Sequence, residues 1–173
     1  MFKQPESDLV AFSAYIDSVL SKLSDLPVPV VMAVNGYALG GGMEVVLSSD
    51  YRILANNGQV GVPEVSFGII PGAGGTVRLP RLIGGDAALE WIVSARAQKA
   101  DVALKVGAVD AVVEPAQLRA TALQWLNKAV SGELDWKARR AKQQQGFTLD
   151  ANVVDAARAK AKKNSGHYPA PLM

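Results

Sequence analysis

The order of apolar and polar positions predicts how the first third of the chain folds. Apolar residues recur at steps of three and four positions from Glu6 to Leu26, which is typical of an amphipathic helix with one apolar stripe. The β-branched run from Val28 to Val34 predicts a strand that is buried on both faces. The pair Asn35-Gly36 ends this strand in a turn. We therefore expect a helix whose stripe needs a partner, followed by a strand of a parallel sheet.

The remaining elements are short and are separated by glycine-rich loops. After three consecutive glycines the pattern predicts a short buried helix over residues 43–48, and Tyr51–Ala55 is expected to form the next strand. A second glycine-rich loop, residues 68–75, opens a helix that continues through Leu82. Further elements are expected along the rest of the chain: helices at 86–95, 101–106 and 115–130, a strand at 108–113, two basic helical pieces on either side of Gly146, and an extended tail at 165–171. This order predicts an α/β fold with a core over 1–132 and a helical region with a tail over 133–173.

Composition narrows the class of protein. A chain of 173 residues with 49% hydrophobic and 20% charged residues is ordinary for one soluble globular domain. Its apolar runs are too short to cross a bilayer, and Lys3 and Glu6 stand where a signal peptide needs its apolar core. We therefore expect a cytoplasmic protein without a membrane span. Because the sequence contains no cysteine, disulfides, thiolate zinc sites and thiol redox catalysis are excluded.

The charge of the chain is concentrated near its C-terminal end. The formal net charge is only +2, but residues 137–163 contain eight Lys or Arg residues and two acids, Asp150 and Asp155. A basic helical surface of this kind is most often exposed to solvent and binds nothing. The more specific interpretation is that these basic residues contact the phosphates of a nucleotide-like group or of nucleic acid. No recognised nucleic-acid motif accompanies it, so we expect no nucleic-acid partner.

Carboxylates are the candidates for acid–base chemistry. The single histidine, His167, lies in the Pro-rich tail, which does not support a Ser-His-Asp triad or a multi-histidine metal site. Glu44 stands in the first turn of an otherwise apolar helix. Its charge there either needs a partner or interacts favourably with the positive end of the helix dipole. Glu64 follows Pro63 in an apolar stretch, and taken alone it is interpreted as a solvent-facing loop residue.

The two glycine loops are weak signals when each is taken alone. The Gly40–Gly42 loop leaves bare backbone amides at a helix start, which attract an anion or a developing oxyanion, although tight packing of the turn explains the glycines equally well. The loop at 72–76 resembles a phosphate loop but lacks the Gly-Lys-Ser/Thr ending, so a nucleotide triphosphatase fits poorly. A dinucleotide-binding glycine pattern fails at Val77.

Three motifs together resemble the enoyl-CoA hydratase/isomerase (crotonase) superfamily in order and spacing. They are Asn35–Glu44, Gly61–Val65 and Gly68–Thr76. Later segments, at 78–84, 100–110 and 168–171, are most similar to the hydratase part of bacterial multifunctional fatty-acid oxidation alpha subunits. The resemblance implies a crotonase-like (ClpP/crotonase) fold, a β-β-α spiral, which in this chain is shortened at its N-terminal side and followed by a C-terminal helical region.

The resemblance also implies a site and a reaction. Glu44 and Glu64 match the two glutamates that handle a water added across the 2,3 double bond of an acyl-CoA thioester. The Gly41 amide matches one oxyanion donor, and Gly72 matches the glycine that helps place the water. The implied substrate-binding positions are Leu39, Gly40 and Pro63. No separate cofactor is implied, since coenzyme A is part of the substrate.

Two functions follow from this resemblance. The first is a 2-enoyl-CoA hydratase of fatty-acid β-oxidation, with 3-enoyl-CoA isomerase activity as a possible addition. The second is a non-catalytic CoA-binding or assembly module, because the family takes a second oxyanion donor from an upstream motif resembling Ala-Gly-Ala-Asp and none precedes Glu6. The chain is then either a fragment or a natural short form.

Partners are inferred in the same way. An unpaired sheet edge and the exposed stripe of the first helix predict a homo-oligomer. The crotonase resemblance implies a trimer or hexamer, and the resemblance to the alpha subunit adds a thiolase subunit as the other option. The basic residues that would face the phosphates of coenzyme A are Lys137, Arg139, Arg140 and Lys142.

Overall fold

The computed structural model describes residues 5–164 of the chain. Its helices are α1 (Glu6–Ser24), α2 (Gly41–Leu47), α3 (Gly75–Ile83), α4 (Gly85–Ser94), α5 (Ala100–Lys105), α6 (Leu118–Ser131), α7 (Trp136–Gln143) and α8 (Ala151–Asn164). Its strands are β1 (Val31–Val34), β2 (Tyr37–Leu39), β3 (Tyr51–Ala55), β4 (Gln59–Gly61), β5 (Gln98–Lys99) and β6 (Ala111–Val113), and 3-10 helices span Glu64–Phe67 and Pro115–Gln117. The predicted tail at 165–171, with His167, lies outside the described residues.

Two small sheets organise the fold. The first has the strand order β1-β3-β6 and is parallel throughout, with Val31 opposite Tyr51 and Ile53 opposite Ala111. The parallel sheet expected from the sequence is therefore confirmed. In the second sheet, β2 and β4 pair in parallel and β4 and β5 pair antiparallel. Its strands are two or three residues long, which is too short for an alternating apolar and polar pattern to predict them.

The first strand differs from its prediction. It begins at Val31 rather than Val28, whose side chain is 52% exposed, and Ala33 within the strand is exposed as well. The expectation of a strand buried on both faces is therefore wrong. The reason is topological, since β1 occupies the edge of its sheet and the central position belongs to β3, which is buried at every residue. A continuous apolar run does not distinguish a central strand from an edge strand.

Helix α2 lies in the main hydrophobic core. Its side chains Met43, Val46 and Leu47 are buried there, together with residues of β3, β4, α3 and α4. This burial explains why a helix of only seven residues forms, because tertiary packing rather than length stabilises it. It also carries Glu44 into the interior, where that side chain is 3% exposed.

Much of the apolar stripe of α1 remains uncovered. Leu20 is buried, whereas Val10, Phe12 and Tyr15 are each more than 60% exposed. The helix is attached to the core near its C-terminal end, where the Ser24 hydroxyl donates to the Ser48 carbonyl over 3.2 Å. Within residues 5–164, no helix, α1 included, combines the length and the apolar character that crossing a membrane requires.

Buried carboxylates hold α7 against the core. Arg140 donates to both carboxylate oxygens of Asp50, over 3.0 and 2.8 Å, and Arg139 donates to Asp110 over 2.5 Å. Both guanidinium groups thus form ion pairs within the chain, and contact of these two arginines with coenzyme A phosphates stays a prediction. Lys137 and Lys142 on the same helix are exposed.

Candidate active site

Glu44 is held by the start of a neighbouring helix. Its Oε1 atom accepts hydrogen bonds from the backbone N–H of Ala73, over 2.7 Å, and from the backbone N–H of Gly75, over 2.8 Å. Gly75 is the first residue of α3, so the carboxylate caps this helix and faces the positive end of its dipole. Hydrogen bonds from two amides to one buried carboxylate oxygen stabilise its negative charge. Glu44 thus has the partner that its apolar surroundings require.

The absence of a side chain at Gly75 allows this contact. A Cβ atom there would lie 2.8 Å from Cβ of Pro71 and 3.0 Å from Oε1 of Glu44. Both separations are shorter than ordinary van der Waals contact. The glycine is therefore needed for the close approach of the Glu44 carboxylate.

Glu64 has the opposite environment. It opens the 3-10 helix Glu64–Phe67, is 8% exposed, and neither of its carboxylate oxygens has a hydrogen-bond partner within residues 5–164. The interpretation of Glu64 as a solvent-facing residue is therefore wrong. The reason is a tertiary contact, since Gly40, with φ at +58°, brings its backbone close to the carboxylate: a Cβ at this position would lie 3.3 Å from Oε1 of Glu64.

Burial raises the pKa of the Glu64 carboxyl, its own backbone N–H lowers it by a smaller amount, and the negative charge of Glu44 raises it again. The neutral acid is thereby favoured at Glu64, beside a carboxylate that two amides stabilise at Glu44. Two neighbouring carboxyl groups with different environments are suited to act as one proton donor and one proton acceptor. The structure thus brings together the two glutamates that the sequence singled out, although they are twenty positions apart.

The start of α2 presents backbone amides beside these carboxylates. The N–H of Gly40 donates to the carbonyl of Gly61 over 2.9 Å, which ties the loop to β4. Gly41 is exposed and is the first residue of α2, where the helix itself offers its N–H no acceptor. An amide in this position can donate to an oxygen that becomes negative during a reaction.

The other positions implied by the sequence lie around the same site. Gly72 is exposed in the loop before α3, and a Cβ at this residue would meet nothing closer than the Ile70 carbonyl at 3.8 Å. Leu39 is the exposed last residue of β2, and Pro63 is half-buried directly before Glu64. The role of Gly72 in placing the water and the roles of Leu39 and Pro63 in substrate binding stay predictions.

The sequence did not indicate the two backbone donors of Glu44. Backbone N–H groups carry no residue signature, and the sequence pointed to the glycine-rich loop at 72–76 only as a poor phosphate loop and, through Gly72, as the part of the implied site that helps place the water. The available signal was the glycine at the start of α3, because a glycine there permits the approach of a group from another element. Within the described residues, no cluster of three or more His, Asp or Glu side chains is arranged to hold a metal ion.

Comparisons with known proteins show the family and the fold of this chain. The sequence profile of the family described as Enoyl-CoA hydratase/isomerase matches residues 3–168. The chain is 48% identical to the fatty acid oxidation complex subunit alpha of Pseudomonas putida (strain GB-1) over 176 aligned positions, which cover 99% of this chain and 25% of that protein. The chain thus spans about a quarter of the length of such curated relatives.

Solved structures show the same fold. The enoyl-CoA hydratase from Bacillus anthracis has a TM-score of 0.72 and 35% identity, over 95% of this chain and 62% of that one. An enoyl-CoA hydratase/isomerase from Cupriavidus metallidurans CH34 has a TM-score of 0.75 at 20% identity, over 98% of this chain and 64% of that one. The crotonase-like α/β fold expected from the sequence is confirmed by these structural neighbours.

Proposed function

Because this chain belongs to the enoyl-CoA hydratase/isomerase family, we propose that it adds water across the 2,3 double bond of an enoyl-CoA thioester. One observation carries the proposal: two buried glutamates meet in one site with opposite surroundings. Glu44 is held by two backbone amides, and the unpartnered carboxyl of Glu64 has a raised pKa. The names of relatives that are alpha subunits of the fatty acid oxidation complex support β-oxidation as the pathway.

In the proposed reaction, the two carboxyl groups have different roles. Oε1 of Glu44 carries both backbone hydrogen bonds, so Oε2 accepts a proton from water as the water oxygen bonds to the β-carbon. The electrons of the double bond pass toward the thioester carbonyl, and the negative charge on its oxygen is stabilised by the N–H of Gly41. Neutral Glu64 then donates its proton to the α-carbon. Proton exchange with solvent restores both carboxyl groups.

The test is a hydration assay that follows loss of the conjugated enoyl-CoA absorbance. The chain is expected to turn over 2-enoyl-CoA, and the double variant Glu44→Gln/Glu64→Gln is expected to have no measurable turnover. Equal rates for the two proteins would refute the carboxylate mechanism. With a 3-enoyl-CoA substrate, a gain of the same absorbance would indicate the additional isomerase activity.

Calorimetric measurement of acyl-CoA binding distinguishes the hydratase from the alternative function, a non-catalytic CoA-binding module. A preparation that binds an acyl-CoA thioester without turning over its enoyl form would be the non-catalytic CoA-binding module. A protein that neither binds nor hydrates acyl-CoA would contradict both functions. A nucleotide-free pantetheine thioester is the matched ligand, since it separates recognition of the acyl end from recognition of the phosphates.

We also propose that the chain assembles with other subunits, as a homo-oligomer or with a thiolase-type partner. The exposed stripe of α1 and the edge strand β1 support the proposal, since both leave apolar or unpaired groups at the surface. Light scattering at micromolar concentration is expected to give a mass that is a multiple of the 18.2 kDa chain. A stable monomer would contradict a homo-oligomer. The cytoplasmic location and the lack of a separate cofactor stay predictions.

A further inference from the structure

Arg78 of α3 connects α1 to the glycine loop that holds Glu44. Its Nη1 atom donates to the carbonyl of Ala73 over 3.0 Å and to the Asp17 carboxylate over 3.3 Å, and its Nη2 atom donates to the Ser21 hydroxyl over 3.2 Å. The Arg78 side chain is 18% exposed. The guanidinium is thus held at two places on α1 and directed at one backbone carbonyl.

The position of that carbonyl matters for Glu44. The Ala73 carbonyl lies in the chain between the N–H of Ala73 and the N–H of Gly75, and both of these amides donate to Oε1 of Glu44. Because each peptide group is planar and rigid, fixing this carbonyl fixes the peptide that joins the two donors. A change in its direction would turn one or both amides away from the carboxylate.

Gly74 provides the space for this arrangement. Its φ is +95°, and a Cβ atom there would lie 1.8 Å from Nη1 of Arg78. A side chain at this position and the guanidinium cannot occupy the same volume. The glycine therefore permits both the left-handed turn of the loop and the approach of Arg78 to the Ala73 carbonyl.

We propose that Arg78 is a positioning residue for Glu44. It acts through the loop 73–75, and Asp17 and Ser21 on α1 orient its guanidinium. The inference rests on the proposed hydratase function, because it assigns Arg78 to the carboxylate that takes the proton from water. It also gives α1 a part in the site, through the contacts of Asp17 and Ser21 with Arg78.

The first measurement does not need activity. Exchange of the Ala73 and Gly75 amide hydrogens with solvent, followed by NMR, is expected to be about tenfold faster or more in Arg78→Ala than in the unaltered protein, because loosening of the loop opens these hydrogen bonds locally. The control is Arg81→Ala, which removes an exposed arginine from the same helix and is expected to leave both exchange rates unchanged. Unchanged exchange in Arg78→Ala would overturn the proposal.

The second measurement separates positioning from support of the fold. Arg78→Ala is expected to lower kcat about tenfold to a hundredfold while KM changes little, since a displaced carboxylate impairs the chemical step. Arg78→Lys can still donate to the Ala73 carbonyl and is expected to recover part of kcat. If Arg78→Ala does not fold, the kcat of Arg78→Lys still tests whether Arg78 positions Glu44. A loss of kcat in Arg81→Ala equal to that in Arg78→Ala would overturn the assignment.

A double-mutant cycle tests whether Arg78 acts through Glu44. In a Glu44→Gln background, Arg78→Ala is expected to cause little further loss of kcat, because the group it positions is already impaired. A full additional loss would mean that Arg78 acts elsewhere and would overturn the proposal. If the unaltered chain does not hydrate enoyl-CoA, the proposed function fails, whereas the amide exchange rates still decide whether Arg78 positions Glu44.

Discussion

Replacement of Glu64 by glutamine is expected to remove most of the hydration activity and to make the folded protein more stable at neutral pH. The loss of activity follows from the proposed role of Glu64 as the proton donor to the α-carbon. A positioned acid or base contributes about 10²- to 10⁴-fold to a rate, so kcat is expected to fall by about this factor. Glutamine has a similar shape but no acidic proton to donate.

The gain in stability follows from the environment of Glu64. Burial raises the pKa of this carboxyl in the folded state above its unfolded value, and neither of its oxygens has a hydrogen-bond partner among the described residues. The stability contributed by its proton is fully present below the unfolded pKa and is lost as the pH rises through the folded pKa. Above the unfolded pKa the carboxyl ionises readily in the unfolded chain, whereas the folded protein disfavours the anion, so the glutamate weakens the fold at neutral pH and neutral glutamine removes this cost.

Thermal unfolding of the two proteins as a function of pH checks the second half of the prediction. The Tm of Glu64→Gln is expected to exceed that of the unaltered chain by a few degrees at pH 7, and the difference is expected to disappear as the pH falls below the ordinary carboxyl range. Glu44→Gln is the matched control. It should lose activity but also lose stability, because its charged hydrogen bonds with Ala73 and Gly75 are weakened. A lower Tm for Glu64→Gln at pH 7 would contradict the interpretation.

Removal of Asp110 is expected to destabilise the fold more than any other change considered for this protein. Arg52 is a fully buried residue of β3, and Asp110 is the carboxylate that faces its guanidinium, over 3.3 Å. The same oxygen of Asp110 accepts the backbone N–H of Arg52 over 2.8 Å, and the other oxygen accepts from Arg139. Asp110→Ala would therefore break three contacts that join β3, β6 and α7.

The cost is large because Arg52 stays charged. Burial lowers its pKa to about 10, which still leaves the guanidinium protonated at neutral pH. After the substitution, only the backbone carbonyls of Ser49 and Asp50 remain as acceptors for it among the hydrogen bonds of the described residues. Removing one partner of a buried ion pair costs about 3–5 kcal/mol.

Denaturant unfolding checks this value. Asp110→Ala is expected to lower the free energy of unfolding by about 3–5 kcal/mol. Arg139→Ala, which removes the half-exposed outer partner, should lower it by about 1 kcal/mol. The double variant Arg52→Met/Asp110→Leu replaces the buried pair with apolar side chains and should recover much of the loss. A cost below 1 kcal/mol for Asp110→Ala would show that the pair does not stabilise the fold.

The sequence alone determined features that depend on neighbouring residues. The period of three and four predicted α1, and the apolar pattern at Tyr51–Ala55 predicted β3 with its observed bounds. The glycines before α2 and α3 marked both helix starts, and the ordered motifs around Glu44 and Glu64 identified the family. These features follow from local geometry and from residues in fixed order, which the chain carries whether or not it is folded.

Tertiary structure decided everything that depends on which distant residues meet. The burial of Glu64, the exposure of one face of β1 and the pairing of Arg140 with Asp50, ninety positions away, have no local signature. The short strands β2, β4 and β5 exist because they pair with one another, not because their sequences favour strands. The different surroundings of the two glutamates arise in the same way. Glu44 accepts from the amide of Gly75 thirty-one positions away, whereas neither carboxylate oxygen of Glu64 has a hydrogen-bond partner among the described residues. Chain folding rather than residue type sets that difference.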